Sequence, residues 1–197
     1  RPQLIRLPSG DRVAVAAQAL ECDAIINLPK LKVHRMFVLT GAVKNYFGCV
    51  TSLWKAWLHV LMGDQGNRFE AMLLDLLELL PPSISLLDGV VAMHITGPVD
   101  GLPYPLGLLA ACRSAVALDT AIYTMLRLTP DEVPLWREAR RRGWAGVNPA
   151  DLSYPLEMPA AFPTADFVLA ADRQSVSFHP YRLARRAVIN TWERLGG

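Results

Sequence analysis

The sequence predicts an α/β domain with a mainly parallel sheet flanked by helices. Short segments rich in isoleucine, leucine and valine alternate with amphipathic segments at helical spacing, and helix start and stop signals bound the latter. The 197 residues, of which 52% are hydrophobic, are enough for one domain with a sizeable core. We therefore expect residues 1–197 to form a single α/β domain.

The N-terminal part of the chain predicts two extended segments. Residues 12–20 are short and apolar, which fits a strand or a short helix. Residues 23–28 are rich in isoleucine and are stopped by Pro29, which is typical of a buried strand. The chain begins with Arg1 and not with Met, and it has no strand-like apolar opening. We expect an N-terminal part of a larger domain to precede it.

Two helical segments are predicted after the first strands. Residues 40–47 favour a helical turn that Gly48 closes as a C-cap. Leucine and tryptophan recur at helical spacing over residues 52–62. On that helix Lys55 and His59 are four residues apart, so they share one face.

A third helix is indicated by a capping pattern before a leucine-rich segment. Asn67 can cap the helix, Glu70 follows three residues later, and Pro81 ends the pattern after Leu80. We therefore predict a helix over residues 67–80.

The middle of the chain predicts two strands and a long loop. Residues 83–87 favour a buried strand, and Asp88-Gly89 is common turn chemistry that would close it. Residues 95–107 are rich in glycine and proline, and loops of this length tend to be functional. A third strand is predicted over residues 106–111.

The C-terminal third predicts helices separated by irregular chain. One helix begins after Ser114, and a second opens at Thr129 with a capping box and ends near Gly143. Residues 148–197 combine an irregular, Pro-rich segment with a last amphipathic helix over residues 180–194.

Charge and hydropathy disfavour two classes of partner. The net charge of +2 gives no global field that would attract nucleic acid. No apolar run approaches the roughly 20 residues of a membrane span, and no signal peptide opens the chain. Two local basic clusters are interpreted as solvated helix faces: Arg137, Arg140, Arg141 and Arg142, and Arg182, Arg185 and Arg186.

The cysteines indicate a reducing compartment. Cys22, Cys49 and Cys112 are odd in number and far apart, and no C-x-x-C pair occurs. Neither a disulfide framework nor a self-contained zinc or iron–sulfur site is indicated. We therefore expect a cytoplasmic location and no iron–sulfur cluster ligated by this chain.

A basic segment follows the first predicted strand. Lys30, Lys32 and His34 alternate along an extended backbone, so their side chains would share one face. Lys44 and Asn45 follow a predicted helix start, where backbone N–H groups favour anions. These residues form a plausible cradle for phosphate or carboxylate. The alternative is that they are ordinary surface lysines and a satisfied histidine.

Two acids complete the candidate site. Ligands gather at the carboxyl ends of strands in open α/β sheets, and the basic segment, Asp88 and the segment before Asp119 all follow predicted strands. Asp88 fits a metal ligand, a base or a plain turn residue. Asp119 interrupts an apolar helix, so it needs a partner such as a lysine or a metal ion unless its face meets solvent.

The ordered motifs resemble the domain of unknown function 362 family. They are "CDAIINLPKLKVHRMFVLTGAVKNYFGCV", followed by Lys55 and His59, then "LLDGVVAMHITGPVDGLP" and "AVALD", and the resemblance covers residues 22–146. The resemblance implies a further α/β portion before this stretch. It also implies the following signature positions: Lys30, Lys32, His34, Lys44, Asn45, Gly48, Asp88, Gly89, Gly97, Pro98, Gly101 and Asp119.

The sequence departs from the family pattern at two places. Many relatives carry a ferredoxin-like cysteine cluster, which is missing from this chain. An Asp-Pro pair is common before "AVALD", whereas Ser114-Ala115 stand here. The resemblance therefore implies where a site lies more firmly than which reaction it performs.

The leading hypothesis is an enzyme or ligand-binding domain for an anionic small molecule. The sequence leaves the cofactor open, with a divalent metal as the candidate. The residues expected to act are His34, Lys44 and Asp119 in catalysis, Lys30, Lys32, Asn45, Lys55, His59 and Gly97 in substrate binding, and Asp88 in metal binding.

Two alternatives stay open. In the first, the chain is a redox-accessory or scaffold module whose lysines dock an acidic, ferredoxin-like iron–sulfur partner. In the second, it is a plain interaction domain in which Lys44 and Asp119 form a buried ion pair that serves packing.

Overall fold

The computed structural model describes residues 1–51, 54–55, 58 and 66–171. Most of the predicted helix over residues 52–62, His59, the last predicted helix and the basic cluster from Arg182 to Arg186 lie outside the described residues.

The chain opens with a two-stranded antiparallel hairpin. Strand β1 (Pro2–Arg6) pairs with β2 (Arg12–Ala16), and helix α1 (Ala17–Glu21) follows directly. Residues 12–20 thus supply both a strand and a short helix. The expectation that no strand opens the chain was wrong, because a largely exposed hairpin strand needs no apolar run.

A six-stranded mixed sheet forms the centre of the fold. Its longest strand, β6, is flanked on one side by β3 and β4, which follow one another along it in parallel, and on the other side by β7 and β8 in antiparallel orientation. Strand β5 pairs with β4 in antiparallel orientation. The strands are β3 (Ile25–Asn27), β4 (Lys30–His34), β5 (Val38–Thr40), β6 (Ser83–His94), β7 (Leu102–Tyr104) and β8 (Leu108–Cys112).

The α/β class is confirmed, whereas the mainly parallel sheet is confirmed only where β3 and β4 meet β6. Residues 95–107 contain β7 and no helix, so the chain returns beside β6 without a helical crossover and pairs in antiparallel orientation. In consequence Cys112, at the end of β8, lies opposite Ser85 near the start of β6. Asn27, at the end of β3, lies opposite the same residue, so the ends of β3 and β8 lie at one level. The predicted strand end at Asp88 is absent, because β6 continues to His94.

The predicted turn at Asp88-Gly89 was wrong, because β6 continues through it. Asp88 pairs with Leu109 and Gly89 pairs with Leu108. A Cβ at Gly89 would lie 3.2 Å from the Cβ of Leu108, so glycine permits this close approach of the two strands.

Strand β3 is confirmed but is buried on one face only. Asn27 is 5% exposed, whereas Ile26 is 72% exposed. Ile84, Leu86 and Leu109 are also exposed apolar residues on β6 and β8.

The segment after β5 is shorter and tighter than predicted. Thr40 ends β5, helix α2 (Ala42–Asn45) follows, and a 3₁₀ turn covers Tyr46–Cys49. Gly48 lies inside that turn, so its assignment as a C-cap was wrong.

Two longer helices pack around α2, and a third packs on those two. Helix α3 (Arg68–Leu79) and helix α4 (Ala115–Met125) agree with the predictions, and Ser114 Oγ caps α4 by accepting from the Ala117 N–H. Helix α2 packs against α3 and α4, and both α2 and α4 contact β6.

Helix α5 (Pro134–Arg141) begins later than its capping box suggested. Glu132 accepts hydrogen bonds from the backbone N–H and the hydroxyl of Thr129, as in a capping box. Pro134, however, disfavours the helical conformation at Val133, which is extended, so the helix begins after it.

A buried acid joins α3 and α5. Glu138 is 2% exposed, and its carboxylate accepts from Arg141 and Arg142 at 2.7 Å each and from Asn67 Nδ2 at 2.5 Å. Arg142 also donates to Asp75 at 2.6 Å. Hydrogen bonds from Arg141 are the largest cause that lowers the pKa of Glu138, to about 2. Asn67 therefore serves this network and not the predicted helix cap.

Replacing Glu138 with glutamine should lower the free energy of unfolding by about 2 kcal/mol at pH 7, because the arginines lose their counter-charge. The native pKa is depressed, so the stabilisation is present above about pH 4.5 and is lost as the pH falls towards 2. Urea denaturation across this range would measure it. Glu157→Gln, at an exposed position, is the matched control. Equal losses for both variants at pH 7 would contradict the role of Glu138.

Candidate functional site

Three lysines from separate segments meet beside α2. Lys32 lies on β4, Lys44 on α2, and Lys55 in the segment that follows the 3₁₀ turn. The pKa of Lys44 is lowered to about 7, chiefly by burial and in addition by the positive charges of Lys32 and Lys55. We call these three lysines together with Thr40 the lysine crevice.

Aromatic rings form the wall around the Lys44 ammonium. Its Nζ lies 4.3 Å from the ring centre of Phe47, 5.4 Å from that of Phe37 and 5.6 Å from that of Phe69. Such contacts stabilise a cation only in part. Within the described ranges, Lys44 forms no ion pair and no hydrogen bond to a carboxylate.

Thr40 adds a buried hydroxyl to the lysine crevice. It lies directly opposite Lys32 in the β4–β5 register, so the two side chains share a face. Its Oγ1 is buried and has no hydrogen-bond partner in the part of the chain that the structure describes. Buried hydroxyls are normally satisfied, so a ligand atom is a natural partner for this one.

Lys55 is anchored at the rim of the lysine crevice. Its Nζ donates to the Gly48 carbonyl at 3.1 Å and lies 6.0 Å from the ring centre of Phe47. The predicted pairing of Lys55 with His59 falls outside the described residues.

Lys30 is directed away from this group. Its ammonium forms a 2.8 Å ion pair with Asp88, whose other oxygen accepts from the Val90 N–H. The hydrogen bond from Lys30 is the largest cause that lowers the pKa of Asp88. The register with β6 shifts between Lys30 and Lys32, so these two lysines, two residues apart on β4, lie opposite Asp88 and Met93, which are five residues apart on β6.

Asp119 caps the start of α2. Its Oδ1 accepts from the Ala42 N–H at 2.5 Å and its Oδ2 accepts from the Val43 N–H at 3.0 Å. Among the described residues its partners are therefore two backbone N–H groups and not the lysine that was one of the expected partners. A Cβ at Gly41 would overlap the carboxylate, so glycine is required for this approach.

The position of Asp119 changes the predicted anion site. Burial raises its pKa to about 7, against the two backbone hydrogen bonds, which lower it. The helix start that was expected to hold a ligand anion holds the chain's own carboxylate. The buried Lys44–Asp119 ion pair does not form among the described residues. Catalysis by Asp119 stays a prediction.

Asn45 belongs to a buried amide network that includes two residues not predicted for the site. Its Nδ2 donates to Asn27 Oδ1 at 2.7 Å, and Asn27 Nδ2 donates to Ser85 Oγ at 2.9 Å and to the Ala42 carbonyl at 3.1 Å. Asn27 and Ser85 are polar residues inside apolar strands, which is the signal that could have identified them. The network fixes α2, and with it Lys44, against the sheet.

His34 and Lys44 both lie against the ring of Phe37. Its Nδ1 accepts from the N–H groups of Met36 and Phe37 at 3.2 and 3.4 Å, and its ring centre is 5.1 Å from that of Phe37. These hydrogen bonds assign an acceptor role to Nδ1. Acid or base catalysis by His34 stays a prediction.

Gly97 packs against the backbone of β4. A Cβ at Gly97 would overlap the Val33 carbonyl, so only glycine fits there. Gly97 precedes Pro98 through a cis peptide bond. Substrate binding by Gly97 stays a prediction.

The described residues contain no group of three or more His, Cys, Asp or Glu side chains that could hold a metal ion. Metal binding by Asp88 thus stays a prediction. Cys22, Cys49 and Cys112 are free thiols, and burial raises the pKa of Cys49.

The distribution of lysine along the chain is a further signal for the site. The four lysines, Lys30, Lys32, Lys44 and Lys55, all fall within residues 30–55, although the chain has 20 lysine and arginine residues. Every other basic residue of these two types is an arginine. Lysine differs from arginine in that burial can deprotonate it.

Comparisons with known proteins agree with the sequence motifs. A family model described as Domain of unknown function (DUF362) matches residues 2–124. The "Thylakoid-associated protein sll1697" of Synechocystis sp. (strain ATCC 27184 / PCC 6803 / Kazusa) is 40% identical over 153 residues, which are 77% of this chain and 47% of that protein. This chain thus spans about half the length of that relative. No solved structure matches.

None of the helices in the described ranges has the length and apolar character needed to cross a bilayer. The cytoplasmic location stays a prediction, since the name of the Synechocystis relative associates that protein with thylakoids.

Proposed function

Since this chain belongs to the family of the domain of unknown function DUF362, we propose that it binds a small anionic molecule in the lysine crevice. One observation supports this proposal above all. Lys32 and Lys55, from two other segments, lie close enough to Lys44 for their charges to lower its pKa. Like charges gathered in this way are unfavourable unless an anion compensates them.

The surroundings of the lysines favour a small ligand over a protein surface. Lys44 is only partly exposed between its phenylalanine rings, and the Thr40 hydroxyl is buried. A carboxylate or phosphate oxygen that reached Lys44 could accept from the Thr40 hydroxyl and from a neighbouring ammonium. Docking of a ferredoxin-like partner stays a prediction, and it would use the more exposed cations.

The ligand is expected to bind without the N-terminus of α2. Asp119 already accepts from the first N–H groups of that helix, so the lysines and the hydroxyl must supply the attraction. Binding should therefore weaken strongly with salt wherever the lysines meet solvent.

Replacing Lys32 with methionine should weaken binding of a small anion by about tenfold, because one of three converging charges is lost. Thermal shift with inorganic phosphate, citrate and pyruvate at low ionic strength would identify a binding anion, and calorimetry would then measure its Kd.

Arg140→Gln is the matched control, because Arg140 is an exposed cation on α5. It should leave the Kd unchanged. Equal weakening by both variants would show a nonspecific charge effect and contradict the proposal. A lack of stabilisation by every one of the three anions would contradict it as well.

A further inference from the structure

We infer that Lys44 acts as an amine nucleophile that forms a Schiff base with the carbonyl carbon of a small oxo acid, while Lys32 and Lys55 hold the acid's carboxylate. This inference rests on the proposed function, because the same lysine crevice must first bind the anion. It adds a covalent step and a substrate class.

The surroundings of Lys44 are those that keep an amine available for reaction. Its Nζ is enclosed by three phenylalanine rings, and among the described residues it has no carboxylate partner that would hold it as a charged ammonium. Two further cations stand nearby. Burial and neighbouring positive charge are the two known ways to activate a lysine nucleophile.

The pKa of about 7 supports the same assignment. A lysine with that pKa is about half neutral at pH 7, a fraction roughly a thousandfold larger than for a lysine with the ordinary value of 10.5. The neutral amine has the lone pair that attack on a carbonyl requires.

The use of lysine fits a covalent role better than simple anion binding. Arginine binds carboxylates well but stays protonated in proteins. Every lysine or arginine position outside residues 30–55 is an arginine, and Arg35 lies inside that range, yet the charges that act on Lys44 are those of two lysines. Lys32 and Lys55 can therefore hold an anion while Lys44 supplies the reacting amine.

The chemical step balances without a cofactor. The Lys44 nitrogen attacks the carbonyl carbon, a C–N bond forms, and the carbonyl oxygen takes up a proton to give a carbinolamine. The C–O bond then breaks, and that oxygen leaves as water. The net reaction joins the amine, the carbonyl compound and one proton to give a protonated imine and one water.

The Thr40 hydroxyl and the phenyl walls suit this substrate class. The hydroxyl can donate to a carboxylate oxygen beside Lys32, since Thr40 and Lys32 are cross-strand neighbours. The rings of Phe37, Phe47 and Phe69 offer an apolar surface to the short carbon chain of an oxo acid.

The test is reductive trapping with pyruvate and sodium borohydride on the whole chain. Hydride from borohydride reduces the imine to a stable secondary amine, and peptide mass spectrometry locates the adduct. We expect Lys44 to carry at least about tenfold more adduct than Lys30, because its neutral fraction at pH 7 is far larger. The preference should vanish when the protein is unfolded in urea.

Two variants and one competitor separate the possible failures. Lys44→Arg keeps the charge and Lys44→Met keeps the apolar packing, and both should lose the adduct. Lactate has a hydroxyl group in place of the keto group of pyruvate, so it cannot form an imine. It should compete with trapping and should itself stabilise the wild-type chain.

Stabilisation by lactate and pyruvate without an adduct on Lys44 would overturn the Schiff base and leave anion binding intact. An adduct spread evenly over the four lysines would also overturn it. Neither stabilisation nor an adduct would overturn both the inference and the proposed function.

Discussion

Replacing Asp119 with alanine is expected to lower the free energy of unfolding by about 4 kcal/mol at pH 7. The change leaves the N–H groups of Ala42 and Val43 buried without an acceptor, and it opens a void where the carboxylate lay. Urea denaturation followed by circular dichroism would measure the loss. Asp166→Ala, at an exposed position, is the control and should change the stability by less than about 0.5 kcal/mol.

The same carboxylate predicts an unusual pH dependence. Its pKa is about 7 in the native chain and 3.8 as the ordinary value, so the native state binds more protons between these pH values. The part of the stability that comes from the raised pKa of Asp119 is therefore present below about pH 4 and is lost as the pH rises to 7, whereas its hydrogen bonds to the N–H groups of Ala42 and Val43 remain. The neighbouring titratable group is Tyr123, whose pKa is raised by burial and by Asp119.

Asp119→Ala should lack this loss of stability between about pH 4 and 7. Parallel stability curves for the wild type and Asp119→Ala between pH 4 and 7 would contradict the assignment of the raised pKa. A loss no larger than that of Asp166→Ala would contradict the structural role of the cap.

Replacing Lys44 with methionine is expected to act in two opposite directions. Anion binding should weaken about a hundredfold, because a partly buried charge in contact with the ligand is removed. The free energy of unfolding should rise by about 2 kcal/mol at pH 6, since the cost of burying an ammonium beside two other cations disappears. A variant that failed to fold could not give this pair of results.

The dependence of stability on pH tests whether the pKa of Lys44 is lowered in the native state. The native pKa of Lys44 is depressed, so the unfolded chain binds more protons between pH 7 and 10.5, and wild-type stability should rise with pH across that range. Lys44→Met should lack this rise. Arg140→Met, on an exposed part of α5, should retain it. Loss of stability in Lys44→Met at pH 6 would contradict the assignment.

Together, Asp119 and Lys44 predict a stability minimum near pH 7. The raised pKa of Asp119 makes the free energy of unfolding fall as the pH rises from about 4 to 7. The lowered pKa of Lys44 makes it rise only above about pH 7. Most domains are instead most stable between pH 5 and 8, so the contrast is measurable.

Local signals predicted several elements well. The isoleucine-rich segment before Pro29 and the leucine-rich segment after Asn67 carry enough periodicity to define a strand and a helix, and Ser114 acts as the predicted cap. The turn expected at Asp88 failed because Gly89 makes room for Leu108 of a neighbouring strand. That contact joins residues distant in the chain, so no local pattern reports it.

The candidate site likewise combines residues that the sequence identified with contacts that depend on packing. The sequence places Lys32 and Lys44 in one predicted cationic group, and the charge of Lys32 does act on Lys44 in the structure, while their role in binding stays a prediction. The separation of Lys30 depends on a register shift against β6, and the partner of Asp119 depends on how α4 meets α2. Both are set by packing between elements, which residue spacing does not encode.

The confinement of every lysine to residues 30–55 has a practical consequence. Reagents that couple to primary amines, such as succinimidyl dyes and sensor-chip linkers, would attach to side chains only within this short stretch. Coupling through side-chain amines would therefore modify the lysine crevice itself. Cys49 lies near Lys55, so Cys112 on β8 is the better handle for labelled binding assays.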